Sequence, residues 1–289
     1  MKSTSKPYDE RRNPINLKQV QKLFLHFYSY IDSFFAKEGI NAFVIAGGVL
    51  GAVRHKGFIP WDDDIDFGMF RNDYEKFLSI CDHLDSRFFF VENFRNRKFV
   101  DNGLTRIYFK GTYVPSRSSS KISKELYCDV FPLDYIPVSE KERLSQARKI
   151  SKIKKLLYLK TIKQGSSFSK TALLLFAKIL LSPISTQFLA RVMDYTASKK
   201  YQNVDKNFVC SMMSQYSYEK QTMPSSFYQA GKLLPFENKL ICVPADYIGY
   251  LTHLYGPNYM IPKQRKGQSE QMVAFVDDSI LCLLTNGPL

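Results

Sequence analysis

Leu17, Val20, Leu23, Phe24, Phe27, Tyr28, Ile31, Phe34 and Phe35 recur at helical spacing and stop before Gly39, which predicts an amphipathic helix closed by a C′ glycine. Residues 42–46 form a short apolar run, read as a buried strand, that breaks at Gly47-Gly48, and residues 49–54 can form a helical turn after it. Residues 62–69 then alternate. Read as a strand, they put Asp62, Asp64 and Asp66 on one face and bury Ile65, Phe67 and Met69 on the other. Tyr74, Phe77, Leu78, Cys81 and Leu84 predict a further helix, capped by Asn72 or Asp73. Aromatic and branched clusters predict strands over 88–91, 104–109 and 126–133, and the tail adds a strand at 240–243 and a helix at 245–255. Together these elements predict an α+β core.

From about residue 139 the pattern changes. Over 141–170 ten basic residues face Glu142 alone, interleaved with Ile150, Ile153, Leu156, Leu157 and Leu159, so a basic amphipathic helix is expected, followed by helices around 172–181 and up to about Lys200. Residues 141–170, within a mainly helical insert over 139–200, carry +9 of a net charge of +14. With 45% hydrophobic and 15% aromatic residues the 289-residue chain has apolar surface enough for a folded core, which excludes disorder. The five cysteines lie far apart without a C-x-x-C pair, so a reduced, cytoplasmic setting is expected. The polar start of the chain has no apolar core of a signal peptide, and the longest apolar run, 172–181, is too short to span a bilayer.

Asp62, Asp63, Asp64 and Asp66 crowd four negative charges into five positions, a density that calls for a metal or a basic partner. Same-face carboxylates on a strand lie about 7 Å apart at Cα. That is close enough to share one hard cation, with ligand oxygens at roughly 2.1 Å for Mg²⁺. A calcium loop is excluded in kind, because Phe67 stands where that loop needs glycine and Asp73 where it needs glutamate. Upstream, Gly47 and Gly48 open a helical turn whose N–H groups and dipole suit a phosphate, and Arg54, His55 and Lys56 follow as an anion clamp. Phosphoryl chemistry is the natural use of that order.

The run from Ala46 to Asp66, AGGVLGAVRHKGFIPWDDDID, closely resembles the signature of LicD-type phosphotransferases, which share the nucleotidyltransferase fold with fukutin and fukutin-related protein. Tyr127-Cys128-Asp129-Val130-Phe131-Pro132-Leu133-Asp134 is similar to a later strand of that family, and Leu234-Pro235-Phe236-Glu237 and the run from Leu254 to Met260 are similar to its C-terminal landmarks. The resemblance spans 17–262, leaving 1–16 as a polar N-terminal tail and 263–289 as a C-terminal tail. It implies a nucleotidyltransferase-like mixed sheet, nucleotide phosphates held at Gly47 and Gly48, and Mg²⁺ or Mn²⁺ on Asp64 and Asp66. By the same resemblance Asp129 is the third carboxylate, as ligand or base, Asp62 approaches the metal and Arg54 contacts the donor. The sequence departs from the family at Ala46-Gly47-Gly48, where a hydroxyl residue is absent, and in the reduced basic segment 263–266.

The expected activity is transfer of a substituted phosphate such as phosphocholine from a CDP-activated donor to a hydroxyl of a cell-surface glycan or lipid-linked precursor, lipopolysaccharide or teichoic acid, releasing CMP. Asp64, Asp66 and Asp129 would be catalytic, with Arg54 and Lys56 stabilising the leaving phosphate. Two other readings fit the residues: a glycosyltransferase whose Asp-x-Asp binds a nucleotide-sugar through a metal, and a non-catalytic protein held on an anionic membrane by the 141–170 helix. No zinc-finger or RNA-binding signature accompanies the lysines, so specific nucleic-acid recognition is not expected.

Overall fold

The computed structural model describes residues 12–96, 104–115, 125–162, 168–262 and 273–286. β1 (Asn13–Asn16) runs straight into α1 (Leu17–Lys37), because Asn16 and Gln19 close a capping box in which each side chain accepts the other's backbone N–H. The apolar stripe of α1 is buried from Leu17 to Phe35, and Gly39 ends it at φ +59°, in the left-handed region a C′ glycine favours. Phe27 stacks on Phe109 at 4.2 Å between centroids and Phe35 meets Phe67 edge-on at 5.4 Å, so α1 is cemented across the sheet by aromatic contacts.

Next come β2 (Phe43–Val44), α2 (Ala46–His55), β3 (Phe67–Phe70), α3 (Arg71–Ile80), β4 (Phe89–Glu92), β5 (Thr105–Phe109), β6 (Thr112–Tyr113) and β7 (Tyr127–Pro137). The central sheet has the order β2, β3, β7, β5, β4. β3 and β7 are parallel and the other pairs antiparallel, giving the mixed sheet of an α+β fold. The long crossover between β3 and β7 is what their parallel pairing requires. Arg71, at the start of α3, holds Asp134 of β7 through two hydrogen bonds of 2.6 Å and reaches a second buried carboxylate, Asp194, at 2.7 Å. A fork-shaped guanidinium is the group that satisfies two buried carboxylates at once.

The basic segment forms α4 (Glu140–Thr161), then α5 (Phe168–Leu180) and α6 (Thr186–Ser198). Ile150, Ile153 and Leu157 of α4 join Leu189 and Met193 of α6 in the same core as the sheet. These helices are therefore packed on the sheet, and the three apolar residues expected to face a membrane are buried. The chain continues through β8 (Val204–Cys210), α7 (Tyr218–Gln221), β9 (Thr222–Pro224), the hairpin β10 (Lys232–Phe236) and β11 (Lys239–Val243), α8 (Tyr247–Tyr255), β12 (Val273–Val276) and α9 (Asp278–Asn286). β8 pairs with β7 and β9.

Several sequence expectations are corrected. The strand expected over 42–46 is only Phe43–Val44, and α2 starts at Ala46, so both glycines lie inside its first turn. Neither Asn72 nor Asp73 caps α3, which begins at Arg71; Asp73 Oδ1 instead accepts the N–H of Asn41 at 3.1 Å. The strand expected from residue 62 starts at Phe67. Both supposed tails enter the fold: β12 pairs antiparallel with β1 and with β6, and Ala274, Val276, Ile280, Leu283 and Leu284 are core residues. The signal-peptide reading and the segment 263–266 fall outside the described residues. Among the described residues no helix is long and apolar enough to cross a membrane.

Candidate active site

Strand register brings two of the carboxylates together. Phe67 pairs with Val130 in the parallel β3–β7 ladder, so Asp66 and Asp129, one residue earlier on each strand, stand side by side at its upstream end. Asp66 accepts the backbone N–H of Asp129. On its other side Asp129 is opposite Arg106 in the β5–β7 ladder, and Arg106 Nε donates to Asp129 Oδ1 at 2.9 Å. One face of Asp129 is thereby fixed by a nearly buried guanidinium.

Residues 62–66 carry no ladder, yet the expected alternation holds: Ile65 is buried in the core while Asp62, Asp64 and Asp66 line one cavity. The loop is held from outside. Gln21, a buried amide within the apolar stripe of α1, donates to the carbonyls of Ile59 at 3.3 Å and Asp62 at 2.8 Å. Glu237, at the turn between β10 and β11, accepts the N–H of Phe58 at 3.2 Å and donates its own N–H to Lys56 O at 2.7 Å. Gln21 escapes pattern reading because only its helical position, amid buried neighbours, distinguishes it from a surface glutamine.

α2 abuts the same loop. A Cβ on Gly47 would stand 2.5 Å from Asp62 Oδ2, so the missing side chain is what lets that carboxylate pack over the first turn of the helix. Ala46 before it adopts φ +50°, and its N–H is taken by the buried hydroxyl of Tyr250 on α8 at 2.9 Å. Gly48 does not line the cavity. A Cβ there would run into Val44 Cγ1, so its role is close packing against β2 rather than the phosphate cradle the sequence suggested.

Negative charge is concentrated here. Asp62, Asp63 and Asp64 have carboxylate oxygens within 4.8 Å of one another, and Asp66 and Asp129 line the cavity alongside Asp62 and Asp64. Asp64 lines the cavity, and desolvation by the protein around it, then the charges of Asp62, Asp63 and Asp129, push its pKa up to about 8. Asp62 is raised to about 6, first by desolvation and then by Asp63, against the pull of Arg54. Asp66 is raised well above the ordinary carboxylate value by burial and by Asp64, Asp129 and Asp62. This all-oxygen, anionic donor set is the kind that hard divalent cations take, and Asp62, Asp64, Asp66 and Asp129 are the residues that would hold one. Asp63 is exposed and is not among the residues that line the cavity.

The cavity, about 670 Å³, is lined by two groups of residues from different parts of the chain. One comprises the carboxylates, Gly47, Arg54, Trp61 and Phe131. The other, not anticipated from sequence, comprises Lys154 and Tyr158 of α4, residues 213–216 and Gln221, and Tyr250, Tyr255 and Tyr259 on and after α8. Arg54 keeps its place, with Nη1 donating to Tyr259 O at 3.0 Å and Nε to His55 Nδ1 at 3.3 Å. Lys56 does not reach the cavity: it is the exposed left-handed cap of α2 at φ +57°, where the chain turns away. Its place as the second cavity cation is filled by Lys154, whose Nζ donates to Ser214 O at 2.5 Å and whose pKa is lowered by burial. Arg71, a nearby cation in sequence, serves Asp134 and Asp194 instead.

Residues 39–145, which contain α2 and the carboxylates of the cavity, match the sequence model of the LicD/FKTN/FKRP nucleotidyltransferase domain. The chain carries a LicD-family domain. Over a longer span it is 24% identical, across 261 residues, to the lipopolysaccharide cholinephosphotransferase LicD of Haemophilus influenzae, covering 86% of this chain and 94% of that protein. Shorter similarities are found to uncharacterised proteins of Rickettsia prowazekii, 30% identical over 89 residues (24% of this chain, 34% of that protein), and of Rickettsia typhi, 46% over 44 residues (15% and 14%). The LicD domain thus supplies the cavity carboxylates, while Lys154, residues 213–221 and α8 lie beyond its matched residues.

Proposed function

We propose that this LicD-family protein transfers a substituted phosphate, phosphocholine in the first instance, from a CDP-activated donor to a hydroxyl of a cell-surface glycan or its lipid-linked precursor, releasing CMP. The observation that carries this reading is the convergence of Asp62, Asp64, Asp66 and Asp129 on one cavity beside the first turn of α2, in a chain similar along most of its length to a cholinephosphotransferase. Asp62, Asp64, Asp66 and Asp129 would hold a divalent ion there, which when bound would supply charge neutralisation at the diphosphate. Arg54 and Lys154, the cations of the cavity lining among the described residues, bind phosphate oxygens and stabilise charge on the departing CMP. Asp129, already engaged by Arg106, acts as a fixed ligand rather than as the base that takes the acceptor proton.

The head group has a matching surface. Trp61, Tyr158, Tyr216, Tyr255 and Tyr259 line the cavity, and aromatic faces attract a quaternary ammonium while offering little to ribitol or glycerol. Trp61 is the single tryptophan of the chain, so its fluorescence reports this site directly. Titration with CDP-choline, CDP-ethanolamine, CDP-ribitol and CDP-glycerol in the presence of Mg²⁺ or Mn²⁺, followed by assay of released CMP, is expected to give tightest quenching and fastest release with CDP-choline. Release of a nucleoside diphosphate from a nucleotide-sugar, or turnover indifferent to EDTA, contradicts the proposal.

A further inference from the structure

α5 turns an apolar face to solvent. Leu175, Phe176, Ile179 and Leu180, spaced i, i+1, i+4 and i+5, are 55%, 59%, 69% and 63% exposed. Large apolar side chains grouped on one helix face mark a contact surface rather than scattered surface residues. The helix is anchored on α4, since Lys160 Nζ donates to Leu181 O at 2.7 Å and Lys178 Nζ to Ile162 O. The face is thus held outward by its own attachment.

α4 complements it in charge. With Ile150, Ile153 and Leu157 turned into the core, Arg148, Lys149, Lys152 and Lys155 are exposed on its solvent side, and Lys199 and Lys200 are exposed at the end of α6. Lys149 and Lys200 approach so closely that hydrogen bonding between them lowers the Lys149 pKa. Such crowding of like charge is relieved by an anionic surface.

We infer that α5 and the basic face of α4 dock this protein on an anionic lipid bilayer, with Leu175, Phe176, Ile179 and Leu180 entering the acyl boundary and the lysines meeting lipid phosphates. A helix with an apolar face beside a polybasic one is the arrangement that lies in the plane of such an interface. A second copy of the chain is disfavoured as the occupant, because two surfaces of a protein carrying +14 repel each other. The same α4 presents Lys154 and Tyr158 to the cavity, so docking would hold the cavity close to the bilayer surface. The inference stands apart from the catalytic reading, because it is tested by binding alone.

Full-length protein is sedimented at low salt with phosphatidylcholine vesicles, with and without phosphatidylglycerol. The expected result is co-sedimentation with the anionic vesicles only. Phe176→Asn with Ile179→Asn, and separately Lys152→Glu with Lys155→Glu, should each weaken that binding roughly tenfold or more. Thermal unfolding should be unchanged, since all four side chains are exposed or at the helix surface. Retention in the supernatant with both vesicle types, whether the protein sizes as a monomer or as a dimer, overturns the inference, as does equal binding to neutral and anionic vesicles or full binding by both double variants.

Discussion

Gly47 and Asp62 fit together only because Gly47 has no side chain: a Cβ at that position would lie 2.5 Å from Asp62 Oδ2. The obstructed atom is the free end of a flexible side chain, so Gly47→Ala should fold, and the helix gains slightly from alanine, by up to about 1 kcal/mol. The carboxylate must move, however. Gly47→Ala is expected to weaken Mn²⁺ binding and cut turnover by about tenfold or more with thermal stability kept. Gly48→Ala presses on buried Val44 instead and should lose about 1–3 kcal/mol of stability. Calorimetric Mn²⁺ titration and thermal melts of the two variants separate the effects.

Asp64 ties stability to pH in the metal-free protein. Its pKa is about 8 when folded, against 3.8 for the free side chain, so the folded state holds the proton more tightly. That contribution is fully present below pH 4 and is lost as pH rises toward 8. Asp64→Asn should therefore melt higher than the parent at pH 8 in EDTA, by about 2–4 °C for each kcal/mol of relieved desolvation and repulsion, and show no gain at pH 4. Mg²⁺ or Mn²⁺ should raise the parent's melting temperature at pH 8, and much less that of the variant, which should also lack turnover. Equal melting of the two proteins at pH 8 without metal would count against that desolvation and repulsion.

Gln21 is the support under the aspartate loop. Replacing it by leucine preserves size but takes the donor from the Asp62 carbonyl, while Ile59 O keeps the N–H of Asp62 at 2.9 Å. An expected loss of about 1–3 kcal/mol in denaturant unfolding follows from that unsatisfied oxygen. Turnover should fall in proportion to a displaced Asp62, with Mn²⁺ affinity reduced alongside it.

Lys154 provides a test of the second group of lining residues. Lys154→Met removes the charge while keeping the aliphatic stem, and should lower kcat/KM for the CDP-activated donor by about tenfold to a hundredfold. Lys56→Met, which removes an exposed cation outside the cavity, should leave it within twofold or so. Equal losses in both variants would return the donor charge to the α2 cap.

Much of this was legible in the sequence, for identifiable reasons. α1, β5, β7, β11 and α8 follow their apolar patterns closely, and the Asp62, Asp64, Asp66 alternation survives although the ladder begins at Phe67. What escaped depends on long-range packing. β1 and β12 pair across about 260 residues, and neither segment alone signals that it has a partner. Lys154 is one of ten basic residues in its stretch, and only the docking of Ile150, Ile153 and Leu157 decides that it, and not Lys152 or Lys155, turns toward the cavity. Residues 213–216 have no periodicity from which a cavity wall could be read.

The cavity lining comes from separate stretches of chain, the carboxylates from within residues 39–145 and the lysine and tyrosines from beyond it. Arg54 and Trp61 stand with the carboxylates, so the proposed donor surface is divided between the family domain and the rest of the chain. Under the proposed reading, substitutions in α4, in 213–221 or in α8 are expected to retune which head group or acceptor is admitted while Asp62, Asp64, Asp66 and Asp129 stay untouched. A fragment trimmed to residues 39–145 would retain those four carboxylates and lose Lys154 and the tyrosines that line the same cavity.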